Sequence, residues 1–250
     1  MPKNKKQELE RRVYQHIRRI YKDNLKDDEI DSLSEKLLEH IIFSQSELPT
    51  HTTEDGTQWT EKTAVLITYA DSIEDKKNLP IKTIDNFLKN YCIDMFEAVH
   101  ILPFFPSSSD KGFSVIDYYT IYHKFGQWND VLSISKEFGV MADIVINHGS
   151  SKSKWFENFI KGEGKGYNYF LNFEQKFDTS KVVRPRTSDL LNPVDTANGK
   201  RYVWCTFSED QVDYNFSNPV VLYEFIQIII FYLSKGISIF RFDAVNEKTQ

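Results

Sequence analysis

The sequence predicts an α/β fold built on a parallel sheet, with a helical arm ahead of it and a long insertion inside it. Three observations carry this. From residue 61 onward, short apolar β-prone runs alternate with helical patterns, the signature of parallel strands joined by right-handed crossovers. Two of those runs stop at polar residues, Asn147-His148 and Asp243, as strands do where they meet a catalytic loop face. The 250 residues suffice for one large α/β barrel or two smaller domains, and a 40% apolar content allows a sizeable core.

Residues 1–60 form the predicted extension. Val13, Ile17 and Ile20-Tyr21 recur at helical spacing, as do Ile30, Leu33, Leu37-Leu38 and Ile41-Ile42, with a polar break at residues 23–28. Nothing in either helix points to chemistry. Residues 49–60, with Pro, Gly and several Thr, read as a connector.

The predicted sheet occupies the rest. Residues 64–69 (AVLITY) are a short buried strand, and 79–91 a helix with Pro80 in its first turn. Residues 98–102 (AVHIL) are the second strand, 128–138 a helix, and 140–146 the third strand. Residues 150–218 are too long for an ordinary loop and read as a small inserted subdomain. Residues 219–235 are a strongly apolar helix, with Asn218 or Ser217 as its cap and Pro219 at its first position. Residues 237–242 are the fourth strand, again buried. The divisions are therefore 1–60, 61–149, 150–218 and 219–250.

Composition narrows the function. A net charge of −5 without a long basic run argues against nucleic acid. The longest apolar run, 225–233, is too short to span a bilayer. The basic start MPKNKK is followed by no apolar segment, so no signal peptide is expected. Cys92 and Cys205 lack metal-ligand spacing and fit a reducing cytoplasm. There is no GxGxxG after the first strand and no P-loop, so no dinucleotide site is expected.

The chemistry-bearing residues cluster near strand ends. In FRFD, Arg241 would hold Asp243 ionised and fixed, which suits a nucleophile; the same pair could equally be structural. In DIVINH, Asp143 is costly in a buried strand unless paired, and His148 reads either as a core histidine or as a donor to a substrate hydroxyl. The loop SSSDKGFS offers Asp110, an Asx-turn residue or a cleft carboxylate, and Phe113, a core ring or a sugar-stacking one. RPRTS places Arg184 and Arg186 around a stiffening Pro, a form suited to phosphate. Gln211 and Asp213 lie beside aromatics before the apolar helix.

Together these segments resemble the α-amylase superfamily, glycoside hydrolase family 13. DIVINH is similar to that family's Asp-x-x-x-Asn-His signature on the third strand, and FRFDAV to its Arg-x-Asp signature on the fourth. LITYADSI, VHILPFFP, SSDKGFSVIDY, RPR and WCTFSEDQVDYNFSNP resemble the sucrose phosphorylase branch. RPRTS and the helical arm look most like its glucosylglycerate phosphorylase group. The resemblance covers about residues 62–245.

It implies the first half of a (β/α)8 TIM barrel, with the insertion after strand three. It implies retaining transfer of an α-glucosyl group to phosphate, with no metal or organic cofactor. Asp243 would be the nucleophile and Arg241 its partner. Asp110, Phe113 and His148 would line the sugar subsite, and Arg186 would contact phosphate or acceptor with Gln211 nearby. Sugar and inorganic phosphate would be the partners. The acceptor among fructose, glycerate and glycerol stays open.

Two departures from the family pattern stand out. The family's acid/base Glu lies on a fifth strand and a further Asp with His on a seventh, and the sequence stops at Gln250. NEKTQ (246–250) does not resemble this branch, and Glu247 is off the family position. The expectation is a truncated chain, through frameshift, early stop or partial gene, with little or no activity alone. The alternatives are a non-catalytic remnant, a half-barrel completed by a second chain or by a homo-oligomer, and an α-glucosidase or transglucosidase of the same superfamily.

Overall fold

The computed structural model describes residues 3–45, 60–183 and 186–245. Most of the connector at 49–60, Arg184 and NEKTQ lie outside the described residues.

Two antiparallel-packed helices open the chain, α1 (Lys3–Tyr21) and α2 (Asp27–Gln45). Ile17, Tyr21, Ile30 and Leu37 form their shared core, much of the helical stripe that the spacing predicts, whereas Ile20 points to solvent and is 56% exposed. The arm packs on a later helix, α6 (Pro219–Ser234), through Leu222, Tyr223 and Ile226. Tyr21 Oη also donates to the Phe216 carbonyl at 2.9 Å.

Four strands then build one parallel sheet in spatial order β1 (Val65–Thr68), β2 (Ala98–Ile101), β3 (Gly139–Val145) and β9 (Ile237–Asp243). The crossover helices are α3 (Pro80–Tyr91), α4 (Trp128–Ile134) and α6. β2 is buried on every residue, since it has neighbours on both sides. Ile81, Ile84 and Leu88 of α3, Val131 and Ile134 of α4 and Val221, Phe225 and Ile228 of α6 cover the sheet and form the main core with Val99, Val140 and Ala142.

Two strands differ from expectation. β1 and β9 are edges rather than buried strands: Ile67 is 62% exposed, and of β9 only Ile237 is fully buried. A strand paired on one side only keeps one flank in solvent. The helix expected over 128–138 also stops early. Ile134 ends it, and residues 135–138 are turns that lead straight into β3.

Residues 150–218 hold α5 (Lys154–Lys161) and an antiparallel sheet of β5 (Asn172–Phe173), β7 (Gly199–Trp204) and β6 (Leu191–Thr196). A separate two-strand ladder pairs β4 (His148–Ser150) with β8 (Gln211–Asp213). This ladder brings the two ends of the insertion back together at the mouth of β3. Asn218, not Ser217, caps α6, accepting from Val220 N at 3.1 Å with Pro219 next to it.

Candidate active site

The candidate site gathers at the C-terminal ends of β3 and β9. Their register sets Asp143 opposite Arg241 and Val145 opposite Asp243. Asp143 is buried, and its cost is met on both oxygens: Arg241 Nη1 donates to Oδ1, and His100 Nε2 of β2 lies 2.8 Å from Oδ2. Arg241 Nη2 also donates to Asp243 Oδ1 at 3.0 Å. One guanidinium therefore bridges a buried carboxylate and a half-buried one, and its fork fixes both. Ala244 follows in the left-handed region, φ 52°, and turns the chain away directly after the carboxylate.

The electrostatics differ from the simple pairing that the sequence suggests. Burial raises the Asp243 pKa above the ordinary carboxylate value, and the charges of Asp143 and Asp110 push the same way. Arg241 pulls it down without winning, because Arg241 shares its charge with Asp143. Two carboxylates near a third favour its protonated form.

Asp110 comes from the loop after β2. It opens a short 3₁₀ turn, Asp110–Gly112, in which Asp110 and Lys111 are left-handed (φ 56° and 48°) and Gly112 has φ 105°. Only glycine fits the third position, since a Cβ there would lie 2.5 Å from the Pro103 carbonyl oxygen. Gln211 Nε2 donates to Asp110 Oδ2 at 2.9 Å. Ser208 Oγ donates to Gln211 Oε1 at 2.9 Å, which fixes the direction of that amide.

His148 lies between these groups in β4. Burial lowers its pKa from 6.5 to about 4, against the pull of the Phe113 carbonyl, Asp110 and Asp210. It is therefore neutral near pH 7. Its Nε2 lies 3.1 Å from the Phe113 carbonyl oxygen and 3.0 Å from Gln211 Nε2. A neutral ring nitrogen serves one of them, as donor to the carbonyl or as acceptor from the amide. Tyr118 Oη lies 2.8 Å from the Val145 carbonyl oxygen and 3.1 Å from that of His148, and its one proton serves either, beside the turn that presents Asn147 and His148.

Phe113 packs partly into the core, and the Arg241 guanidinium lies over its ring at 5.8 Å. It thus joins β9 to the Asp110 loop. Arg186 does not reach Asp243 through any described contact. Its guanidinium lies over Phe207 at 5.8 Å, and Phe207 lies 5.0 Å from the His148 ring. Asp213, opposite His148 in the β4–β8 ladder, accepts from Thr206 N and Oγ1 at 3.0 and 2.6 Å.

Two residues escape the sequence reading. Phe207 links Arg186 to His148, and Asp210 accepts from Ser108, Ser109, Ser114 and Ser151. Burial would raise the Asp210 pKa, but those hydroxyl donors lower it below the ordinary value. Asp210 thereby ties the Asp110 loop to the insertion, one residue before Gln211. The serine runs at 107–109 and 150–151 are the signal that could have found it.

A cleft of about 470 Å³ opens beside this cluster, lined by Tyr69, Asp71, Phe105, Lys111 and Tyr122 among others. It abuts the Asp110 loop, but no wall of it comes from β9. Among the described residues no group of three metal-ligating side chains gathers.

Residues 86–250 match the family described as "Alpha amylase, catalytic domain". The chain is 47% identical over 182 residues to the glucosylglycerate phosphorylase of Spirochaeta thermophila, covering 73% of this chain and 31% of that protein. It is 38% identical over 228 residues to that of Allomeiothermus silvanus, covering 85% and 41%. The crystal structure of sucrose 6F-phosphate phosphorylase from Thermoanaerobacter thermosaccharolyticum superposes with a TM-score of 0.68 at 28% identity, covering 78% of this chain and 42% of that one. The chain thus spans about a third to two fifths of the length of these relatives. With the match extending over residues 86–250, this chain belongs to the alpha-amylase catalytic-domain family.

Proposed function

We propose that this chain carries the donor-sugar half of a retaining α-glucosyl phosphorylase, on the first four strands of a (β/α)8 barrel. The observation that carries the reading is Arg241 bridging buried Asp143 and half-buried Asp243 at the ends of adjacent parallel strands. Asp243 is the nucleophile: its carboxylate forms a bond to the anomeric carbon as the glycosidic C–O bond breaks. The leaving oxygen takes a proton from an acid. A phosphate oxygen then attacks the same carbon and releases Asp243, so that two inversions return the α-configuration as glucose 1-phosphate. Asp110, Gln211 and neutral His148 hold sugar hydroxyls, Phe113 offers an apolar edge, and Arg186 takes phosphate or acceptor.

The acid does not come from the described cluster. Asp143 is engaged by Arg241 and His100, and Asp110 by Gln211. The chain's share of its relatives' length leaves room for further barrel units, and we assign the acid to them. Residues 1–250 alone are then expected to turn over little or no substrate, since loss of a general acid removes about 10²–10⁴ in rate.

Likeness to the two glucosylglycerate phosphorylases favours glucosylglycerate as the donor. A sucrose-type donor is the second reading, supported by the superposition with sucrose 6F-phosphate phosphorylase. The test is phosphorolysis by residues 1–250 and by a chain continued through the remaining barrel units. Phosphate-dependent release of α-glucose 1-phosphate from glucosylglycerate by the longer chain alone is expected. Equal release by residues 1–250 overturns the assignment of the acid, and phosphate-independent release of free glucose points to a hydrolase.

A further inference from the structure

A second cavity, of about 380 Å³, lies within the insertion between the C-terminal end of α5, the tip of the β6–β7 hairpin and the N-cap of α6. None of its walls carries a residue of the candidate active site. Its polar lining is dominated by side-chain amides, those of Asn168, Asn172, Asn198, Asn215 and Asn218, with Arg201 as the one cation among the described lining residues. Among the described residues no carboxylate lines it.

That lining selects a ligand class. An amide both donates and accepts, which matches a hydroxyl group, itself a donor and an acceptor. An anion would find a single guanidinium already engaged by Glu174 at 2.9 Å. An apolar ligand would leave the amides without partners. Asn168 and Asn198 are exposed, and among the described residues their side chains have no partner within the protein, whereas Asn172 donates to the Phe170 carbonyl at 2.9 Å and Asn218 both donates to the Asn168 carbonyl at 3.0 Å and accepts from Val220 N. The Tyr167 ring, 47% exposed, forms part of the wall and suits the apolar face of a pyranose.

The walls are tied together before any ligand arrives. Ala197 N, at the hairpin tip, donates to the Ile160 carbonyl at 2.8 Å, and Asn215 N donates to the Tyr169 carbonyl at 2.7 Å. Gly162 closes α5 in the left-handed region, φ 72°, and a Cβ there would stand 2.7 Å from Asn198 Nδ2. The missing Cβ leaves the room in which the Asn198 amide lies. The volume falls at the small end of the roughly 300–1,000 Å³ range of ligand pockets.

We propose that this cavity is a second carbohydrate site, taking a neutral mono- or disaccharide independently of Asp243. The test is calorimetric titration of the full chain with maltose, with and without sodium sulfate. Binding is expected in the wild type and in Asp110→Ala, unaffected by sulfate. It is expected to weaken by about tenfold in Asn168→Leu/Asn198→Leu, the effect of losing two neutral hydrogen bonds. Asn198→Asp, which preserves shape and turn, is expected to weaken binding several-fold and covers the case in which the double variant fails to fold. Four results overturn the proposal: no maltose binding, binding lost in Asp110→Ala, binding unchanged in the Asn198 variants, or displacement by sulfate.

Discussion

Arg241 and Asp143 face each other across adjacent parallel strands, and the guanidinium of the first donates to the buried carboxylate of the second. The same Arg241 holds Asp243, so the pairing sets the orientation of the carboxylate that we propose as the nucleophile. Asp143 in turn is held from the far side by His100. Three adjacent strands, β2, β3 and β9, are thereby joined side chain to side chain.

Removing that link is expected to cost stability as well as activity. Arg241→Ala leaves Asp143 buried with His100 alone. Breaking a fully buried pair costs about 3–5 kcal/mol, and the Arg241 side chain is 45% exposed, so solvent screening reduces this to about 2 kcal/mol. Urea unfolding of wild type and variant at pH 7 measures it, and an unchanged midpoint would contradict it.

Stability should also carry the signature of His148. Its pKa is about 4 when folded, against 6.5 for an unperturbed histidine, because burial disfavours the cation. Between those values the unfolded chain binds the proton and the folded chain does not, so stability rises with pH. The contribution is fully present above 6.5 and is lost as pH falls to about 4, to the extent of about 3 kcal/mol. Unfolding free energies of wild type and His148→Gln, taken at half-unit steps from pH 4 to 7, should converge toward acid. Parallel curves would rule it out.

Asp210 is expected to matter without touching substrate. Hydroxyls of Ser108, Ser109, Ser114 and Ser151 converge on it, with Ser150 farther off at 3.5 Å, and a hydrogen bond to a charged group is worth about 1.5–3 kcal/mol net, less where the group is partly exposed. Asp210→Ala should lower stability by about 2 kcal/mol and loosen the Asp110 loop. Amide hydrogen exchange at residues 108–114 checks the second point: protection should fall there and stay unchanged in α3.

Gly149 tests the packing behind the site. A Cβ at this buried position would lie 2.0 Å from Tyr214 Oη. Gly149→Ala should therefore destabilise by about 1–3 kcal/mol through overpacking. Gly149→Ala/Tyr214→Phe, which removes the offending hydroxyl, should recover part of the loss in thermal unfolding; no recovery would place the strain elsewhere.

How much of this was legible in the sequence follows from what each residue obeys. The parallel strands and their crossover helices were readable because burial imposes periodicity, and the cap at Asn218 because Pro219 follows it. The Arg241–Asp243 pair is two residues apart on one strand, so local spacing revealed it. Asp243's raised pKa was not legible, because Asp143 and Asp110 lie 100 or more residues away in sequence and meet it only through the fold. The edge character of β1 and β9 was hidden for a related reason: their residue types suit a buried strand, and exposure depends on which neighbours are present. The β4–β8 ladder escaped because three-residue strands carry too little pattern. Its consequence, that His148 and Gln211 sit at opposite ends of one ladder, is what turns scattered polar residues into a cluster.

The nucleophile can be identified by labelling it. The longer chain carrying the remaining barrel units would be incubated with a 5-fluoro-α-glucosyl fluoride, digested, and mapped by tandem mass spectrometry. A single glycosyl adduct on Asp243, absent in Asp243→Asn, is the expected result. An adduct on Asp110, Asp143 or another carboxylate, or labelling that persists in Asp243→Asn, would show that Asp243 does not form the bond to the sugar.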